Sequence, residues 1–258
     1  MVYDYEYFKK QVLALTKIDL NCYKEKQMKR RIDTLISRHN LEGYEAFLGK
    51  LKTDAALLEE FVNYLTINVS EFYRNPDQWQ ILDKDVFPQL IETFGQQLTI
   101  WSAACSTGDE PYSLVMALSK HLPLNNIKII ATDIDKQVIE KAKVGLYNSK
   151  SIAAVPDEFK KKYFTKVGTS YRIADEIKAR VEFKESNLLK DPYPTGCHLI
   201  VCRNVLIYFT EEAKDEVFRK FYKSLAKDGI LFIGSTEQIM NYKDIGYGRL
   251  NSFFYTAD

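Results

Sequence analysis

The chain has 258 residues, 46% of them hydrophobic, and its formal net charge is +1 at neutral pH. This apolar content is enough for a sizeable core in one or two domains, and the near-neutral charge gives no overall attraction to nucleic acid or to an anionic membrane. The four cysteines form no CxxC pair and the three histidines are scattered, so we expect neither a disulfide framework nor a metal site.

The beginning of the chain is too polar for a signal peptide, and no apolar run approaches the length that spans a bilayer. We therefore expect a cytoplasmic protein with reduced cysteines and no direct membrane insertion. Nothing in the sequence indicates more than one copy in the working protein, and a monomer is the default expectation.

Residues 1–70 have only helical patterns, which predicts an all-helical N-terminal domain. Four stretches space their apolar residues at helical intervals, beginning at "YEYFKK", "MKRRID", "GYEAFL" and "AALLEE". Opposite and beside the apolar stripe of the second helix stand basic residues, which form either a solvated face or a docking surface for an acidic partner. These residues are Lys26, Lys29, Arg30 and Arg31. Residues 71–96 are predicted to be a linker and an entry helix.

From residue 97 to the end, apolar strand patterns alternate with helical ones. This alternation predicts a Rossmann-like α/β domain with a mostly parallel sheet covered on both faces. The last strand pattern, "RLNSFFYTAD", has no helix after it and is expected to run antiparallel. Residues 150–180 break the alternation and predict a small inserted β subdomain.

The loop after the first strand, "WSAACSTGDEPYS", joins a strand to a helix, as nucleotide-binding turns do. It has a single glycine, Gly108, and it carries acids at Asp109 and Glu110, which would repel a pyrophosphate. Such a loop suits a cationic cofactor without phosphates, such as S-adenosylmethionine (SAM); the alternative is that the two acids only complement the dipole of the helix that they begin. The second predicted strand ends in Asp133, and an acid there accepts hydrogen bonds from both hydroxyls of a ribose. Cys105, in the same loop, has no base beside it and is interpreted as a packing residue.

Five stretches resemble, in this order, the motifs of the chemotaxis receptor methyltransferases, the CheR family. They are "TINVSEFYRNP", "WSAACSTGDEPYSL", "ATDIDKQVIEKAKVGLY", "SNLL" and "CRNVLIYF". The resemblance covers nearly the whole chain. It implies a class I methyltransferase that moves a methyl group from SAM to glutamate side chains of chemoreceptors, leaving S-adenosylhomocysteine. It also implies a cytoplasmic enzyme that is recruited to membrane receptor clusters.

The resemblance assigns roles to single residues. Arg74 and Tyr208 are its candidate catalytic residues; Arg74 would orient either the acceptor carboxylate or the carboxylate of the cofactor, and Tyr208 would offer its hydroxyl to the substrate or its ring to the cation. The basic helix becomes a candidate receptor-docking element, and the β subdomain in some members grips a receptor C-terminal peptide. The implied cofactor contacts are Asn68, Ser70, Arg74, Ala104, Glu110, Asp133, Asn187, Leu188, Cys202, Arg203 and Asn204.

Other readings of the same domain stay open. An amino-methylating DNA enzyme would have an Asn/Asp-Pro-Pro-aromatic turn after the fourth strand, where this chain has "RNVLIYF", so no nucleic-acid partner is expected. A methyltransferase for a small carboxylic acid, or a module that senses SAM without catalysis, would share the cofactor loop. The small-acid enzyme would not account for the basic helix or the β insert, and the presence of Arg74 and Tyr208 argues against a module without catalysis.

Overall fold

In a computed structural model, which describes residues 4–66 and 68–257, the chain forms two compact units. The first unit comprises residues 1–68 together with Leu206–Glu216, and the second comprises Val69–Val205 together with Val217–Asp258. No helix in the described part of the chain is long and apolar enough to cross a membrane.

The first unit is built mainly from four helices, which confirms the predicted all-helical N-terminal domain. An Asp4 carboxylate accepts the Tyr7 N–H (2.8 Å) and begins the first of them. The buried rings of Phe8, Phe47 and Phe61 meet at its centre, with Phe47 and Phe61 edge-to-face at 5.4 Å. The helices are α1 (Tyr5–Thr16), α2 (Glu25–Arg38), α3 (Gly43–Thr53) and α4 (Ala55–Thr66), with a 3₁₀ turn at Leu20–Cys22.

The second unit is a seven-stranded sheet with helices between most of its strands. Its strands are β1 (Ile100–Ala103), β2 (Ile129–Asp133), β6 (Val181–Glu185), β7 (Cys197–Cys202), β8 (Leu225–Ile233), β9 (Tyr247–Arg249) and β10 (Phe254–Ala257). Its helices are α5 (Pro76–Ile81), α6 (Phe87–Phe94), α7 (Asp109–Leu118), α8 (Lys136–Val144), α11 (Glu211–Ser224, which begins in the first unit) and α12 (Tyr242–Ile245). A π-helical turn at Leu82–Val86 joins α5 to α6.

The strand order is β6-β2-β1-β7-β8-β10-β9. The first five strands in this order are parallel to one another, and β10 pairs antiparallel with both β8 and β9. The predicted mostly parallel sheet and the antiparallel direction of the C-terminal strand are therefore confirmed. All four residues of β1 are buried, as expected for a central strand covered on both faces. Because β2 and β7 flank β1, the carboxyl ends of these strands meet at one edge, where open α/β sheets bind their ligands.

A second, antiparallel sheet has the order β3-β5-β4 and confirms the predicted small β subdomain. Its strands are β3 (Leu146–Asn148), β4 (Phe164–Val167) and β5 (Ser170–Ile173), with the helices α9 (Asp157–Tyr163) and α10 (Asp175–Lys178). Its first strand thus lies just before residue 150. The domain limits 1–70, 71–96 and 97–258 stay a prediction.

Candidate functional site

The loop between β1 and α7 has an unusual backbone. Ala104, Ser106 and Gly108 all have positive φ angles, of 62°, 47° and 87°. A Cβ at position 108 would lie 2.9 Å from Ala142 Cβ and 3.0 Å from the Tyr112 ring, so glycine is required there by conformation and by space. The backbone of Gly108 thus lies close to neighbouring side chains of the protein. Two non-glycine residues held in the left-handed region are typical of functional sites.

Asp133, at the end of β2, fixes this loop. Its Oδ2 accepts the Ser106 N–H (2.8 Å) and its Oδ1 accepts the Asp135 N–H (3.0 Å). Burial raises the pKa of Asp133 to about 6, although both backbone N–H groups favour the charged form. A carboxylate has about four lone-pair positions, so Asp133 can accept further hydrogen bonds from the hydroxyl groups of a ligand.

Glu110 stands in the first turn of α7 beside the end of β1. Its Oε1 accepts the Ser102 hydroxyl (2.8 Å), and its Oε2 lies 3.7 Å from Arg203 Nη1. Burial raises the pKa of Glu110, while the charge of Arg203 and the hydrogen bond from Ser102 lower it. Arg203 therefore partly neutralises the Glu110 carboxylate at this edge of the sheet.

Arg203 follows β7, and its guanidinium donates hydrogen bonds mainly to acceptors of the protein itself. Its Nη2 donates to the carbonyl oxygen of Arg74 (2.7 Å), to Gln78 Oε1 (2.7 Å) and to Asn75 Oδ1 (3.2 Å). Its guanidinium also lies 4.7 Å from the centre of the Phe232 ring. Burial is the main influence on its pKa and lowers it. Arg203 thus fixes the backbone of Arg74, whose own Nη1 donates to the Val69 carbonyl (3.2 Å).

Glu237 is a site residue that the sequence reasoning missed. Its Oε2 accepts both the Asn204 N–H (2.6 Å) and the Gly234 N–H (2.9 Å), and the residue is 3% exposed. It thereby joins the carboxyl ends of β7 and β8. A Cβ at position 234 would lie 2.4 Å from this oxygen, so glycine is needed there. The signal was present: like Asp133, Glu237 is an acid close to the end of a buried strand.

Within the described residues, Asn204 and Ser106 each carry a buried oxygen atom without a hydrogen-bond partner. Asn204 has a φ of 62°, held by Glu237. Among the residues that the structure describes, no hydrogen-bond partner reaches the buried Asn204 Oδ1 or Ser106 Oγ. Both lie at the same sheet edge as Glu110 and Asp133, so the site offers carboxylate, amide and hydroxyl oxygens. This donor and acceptor set fits a ligand with an ammonium group and ribose hydroxyls and without phosphates.

The remaining cofactor residues predicted in the second unit follow neighbouring strands. Asn187 Oδ1 accepts the Leu189 N–H (2.9 Å) after β6, and Leu188 is buried there. Cys202, fully buried, ends β7. The strand ends therefore bring eight predicted residues to one edge of the sheet: Ala104, Glu110, Asp133, Asn187, Leu188, Cys202, Arg203 and Asn204.

Two further residues of the loop and linker have structural contacts. Burial raises the pKa of Asp109, and hydrogen bonds from the hydroxyls of Thr107 and Ser70 oppose that rise. Ser70 is thus linked to the loop through Asp109. Cys105 is buried, and burial raises the pKa of its thiol well above the usual value. A neutral buried thiol agrees with the packing role predicted for Cys105.

The other predicted site residues belong to the first unit. Asn68 donates from Nδ2 to Thr66 Oγ1 (2.9 Å). Tyr208, half-buried, ends a 3₁₀ turn that begins at Leu206.

The four basic residues of α2 divide into two groups. Lys26, Lys29 and Arg30 are exposed. Arg31 is half-buried; it donates to the Tyr64 carbonyl, and its guanidinium lies 4.4 Å from the centre of the Tyr64 ring. Arg31 thus has a packing role inside the helical unit.

Comparison with known proteins gives two matching families and several relatives. The family described as "CheR methyltransferase, SAM binding domain" matches residues 68–247, and "CheR methyltransferase, all-alpha domain" matches residues 3–66. The chain is 42% identical to the chemotaxis protein methyltransferase of Listeria innocua over 98% of its own length and 96% of that protein. It is 32% identical to chemotaxis protein methyltransferase 2 of Vibrio cholerae, over 86% of this chain and 79% of the relative.

Proposed function

The chain belongs to the CheR methyltransferase family, and from this premise we propose that it methylates glutamate side chains of chemotaxis receptors. Membership makes it a SAM-dependent methyltransferase of the chemotaxis type. The proposed products are γ-glutamyl methyl esters and S-adenosylhomocysteine. The proposed place of action is the cytoplasm, at receptor clusters, with the protein as a monomer.

The observation that carries the cofactor part of the proposal is the pair of acids at the strand ends, the buried Asp133 and Glu110, whose side chain is 14% exposed. Glu110 would bind the ammonium of the methionine moiety, and Asp133 would accept the ribose hydroxyls. Asn204 Oδ1 and Ser106 Oγ supply further polar contacts, and Asn187 and Leu188 would flank the adenine. A phosphate-bearing cofactor would be repelled by the same acids.

A glutamate acceptor fits a site without an obvious general base. A glutamate carboxyl group in water has a pKa of about 4.3 and is already ionised at neutral pH, so no proton has to be removed. SAM supplies an electrophilic methyl group on a sulfonium. A carboxylate oxygen forms the new C–O bond while the S–C bond breaks and its electron pair stays on sulfur, so that both charges disappear. The tasks left to the protein are alignment and exclusion of water.

Arg74 and Tyr208 are the proposed groups for that alignment. The Arg74 backbone is fixed by Arg203, and one nitrogen of the Arg74 guanidinium donates to the Val69 carbonyl. The other donors of that guanidinium would orient a carboxylate. The Tyr208 side chain is half-buried and has a hydroxyl for the acceptor or a ring face for the sulfonium. The exposed Lys26, Lys29 and Arg30 of α2 form a basic face suited to the acidic helices of a receptor.

The test uses SAM labelled in its methyl group and membranes that contain chemoreceptors. We expect label on the receptor that mild alkali releases as methanol, and much less label with the Asp133→Ala variant. Alkali-stable label would contradict an ester. Tight SAM binding with no transfer to any receptor would instead favour a module that senses the cofactor.

A further inference from the structure

The segment Leu206–Glu216 follows β7 in sequence but belongs to the helical unit. The connection is made at the beginning of α2. Tyr23 and Phe209 form an antiparallel β-bridge. On either side of it, the Lys24 N–H donates to the Tyr208 carbonyl (2.9 Å) and the Thr210 N–H donates to the Cys22 carbonyl (2.9 Å). The backbone of Tyr208 is therefore hydrogen-bonded directly to the residue that precedes α2.

Side chains strengthen this bridge. The rings of Tyr23 and Phe209 meet edge-to-face, with centroids 5.0 Å apart and planes at 85°. Phe209 is 4% exposed, and Leu206, at the start of the turn, is fully buried. The Phe209 N–H donates to the Leu206 carbonyl (3.0 Å), which closes the turn that carries Tyr208. The turn is thus held by backbone and by side chains, and between Leu206 and Phe209 Tyr208 is the residue with a polar side chain.

The same bridge lies next to the basic face of α2. Lys24 is the N-cap of α2, and the exposed Lys26, Lys29 and Arg30 stand in its first two turns. A displacement of the first turn of α2 must therefore move the Tyr208 carbonyl or break its hydrogen bond. The helix that carries the docking face and the Tyr208 turn are therefore joined by backbone hydrogen bonds and a ring contact.

We infer that Tyr23, Lys24 and Phe209 are positioning residues, which set Tyr208 relative to the receptor-docking face of α2. The inference rests on the proposed function, because only that proposal makes the basic face a receptor surface and Tyr208 a catalytic residue. When a receptor helix docks on α2, the bridge fixes where the Tyr208 hydroxyl stands relative to the docked helix. Weakening the bridge lowers turnover and leaves docking intact.

The test compares two single proline variants at the start of α2. Lys24 has a φ of −58° and Tyr23 is extended (φ −110°, ψ 151°), so Lys24→Pro suits the local backbone while it removes the N–H that binds Tyr208. Glu25→Pro is the matched control, because Glu25 is the first residue of α2, where proline is favoured. We expect Lys24→Pro to lower kcat for receptor methylation by about tenfold. The KM for receptor and the Kd for S-adenosylhomocysteine should stay within about twofold, and Glu25→Pro should resemble the parent protein.

A double-mutant cycle with Tyr208→Phe separates positioning from general damage. If Lys24→Pro acts through Tyr208, it changes kcat by less than about twofold in the Tyr208→Phe background. Fully multiplicative effects, or equal losses with the two prolines, would overturn the inference. Should Lys24→Pro lose helical circular dichroism, Tyr23→Leu takes its place in the cycle, with Tyr23→Phe expected to restore kcat. A parent protein that esterifies no receptor glutamate refutes the proposed function and this inference with it, whereas an additive cycle in an active enzyme refutes only the inference.

Discussion

Arg203 and Glu110 form an ion pair at the carboxyl edge of the sheet, with 3.7 Å between Nη1 and Oε2 and side chains only 2% and 14% exposed. Breaking a buried pair from one side leaves a buried charge without its partner. Here the Arg203 guanidinium donates to three other protein acceptors, whereas the Glu110 carboxylate accepts the Ser102 hydroxyl through one oxygen. Glu110 is therefore the member of the pair that has charge to offer to a ligand.

The first prediction concerns Glu110→Gln, which keeps the shape of the side chain and removes its charge. We expect the affinity for SAM and for S-adenosylhomocysteine to fall together, by about 1.5–3 kcal/mol, because both carry the same ammonium. Isothermal titration with each compound measures this. Glu140→Gln, on the exposed side of α8, is the control and should change neither affinity. A loss confined to SAM would place Glu110 near the sulfonium instead.

The second prediction concerns pH. Burial raises the pKa of Asp133 from 3.8 to about 6, so its contribution to the stability of the free protein is fully present below the unfolded-state value and is lost as pH rises through 6. Ligand binding depends on pH in the opposite direction, because hydroxyl donors bind the ionised Asp133 carboxylate better than its protonated form. The Kd for S-adenosylhomocysteine should therefore tighten as the pH rises through the pKa of Asp133.

Calorimetry across that transition checks the second prediction. In Asp133→Asn the steep change near pH 6 should disappear, and binding above the transition should weaken by about 1.5–3 kcal/mol. Glu110, whose pKa burial also raises, is left to account for any residual slope. An unchanged profile in Asp133→Asn would remove Asp133 from the site.

Most of the sheet unit could be predicted because its signals are local. Buried strands are continuous apolar runs, and parallel strands must bring their last residues to one edge, so Asp133 and Asn204 could be placed together from their positions in the sequence. The membership of Tyr208 in the helical unit could not be predicted. It depends on the pairing of Tyr23 with Phe209, two aromatic residues far apart in sequence, and no periodic pattern encodes such a contact. The short strand β9 (Tyr247–Arg249) was missed for a similar reason, since its pairing with β10 depends on a turn and not on an apolar run.

The third prediction concerns the acid that joins β7 and β8. Glu237→Ala leaves the buried N–H groups of Asn204 and Gly234 without their acceptor, and each such group costs about 1–3 kcal/mol. We expect the free energy of unfolding of the sheet unit to fall by about 2–4 kcal/mol. Glu237→Gln keeps an acceptor without the charge and should lose about half as much.

Urea unfolding followed by tryptophan fluorescence reports on this unit, because Trp79 and Trp101, the two tryptophans of the chain, both lie in it. Glu92→Gln, at an exposed acid on α6 of the same unit, is the control and should stay within about 0.5 kcal/mol of the parent protein. A loss for Glu237→Ala no larger than this control would show that water replaces the carboxylate.

The fourth prediction separates docking from packing among the basic residues of α2. Arg30 is exposed, whereas Arg31 donates to the Tyr64 carbonyl and lies over the Tyr64 ring. Charge reversal at Lys26 and Arg30 should raise the KM for receptor several-fold, with cofactor affinity unchanged, because long-range attraction to an acidic helix is lost. The effect should shrink between about 50 and 500 mM salt, since screening weakens attraction between exposed charges.

Arg31→Ala should instead lower the thermal stability of the helical unit by removing a hydrogen bond and a cation–π contact, about 1–3 kcal/mol together, with a smaller change in the salt dependence of KM. Steady-state methylation at several salt concentrations, paired with thermal unfolding of each variant, measures both quantities. A KM that ignores the reversal at Lys26 and Arg30 would mean that this face is only solvated, and the receptor surface would have to be sought elsewhere on the molecule.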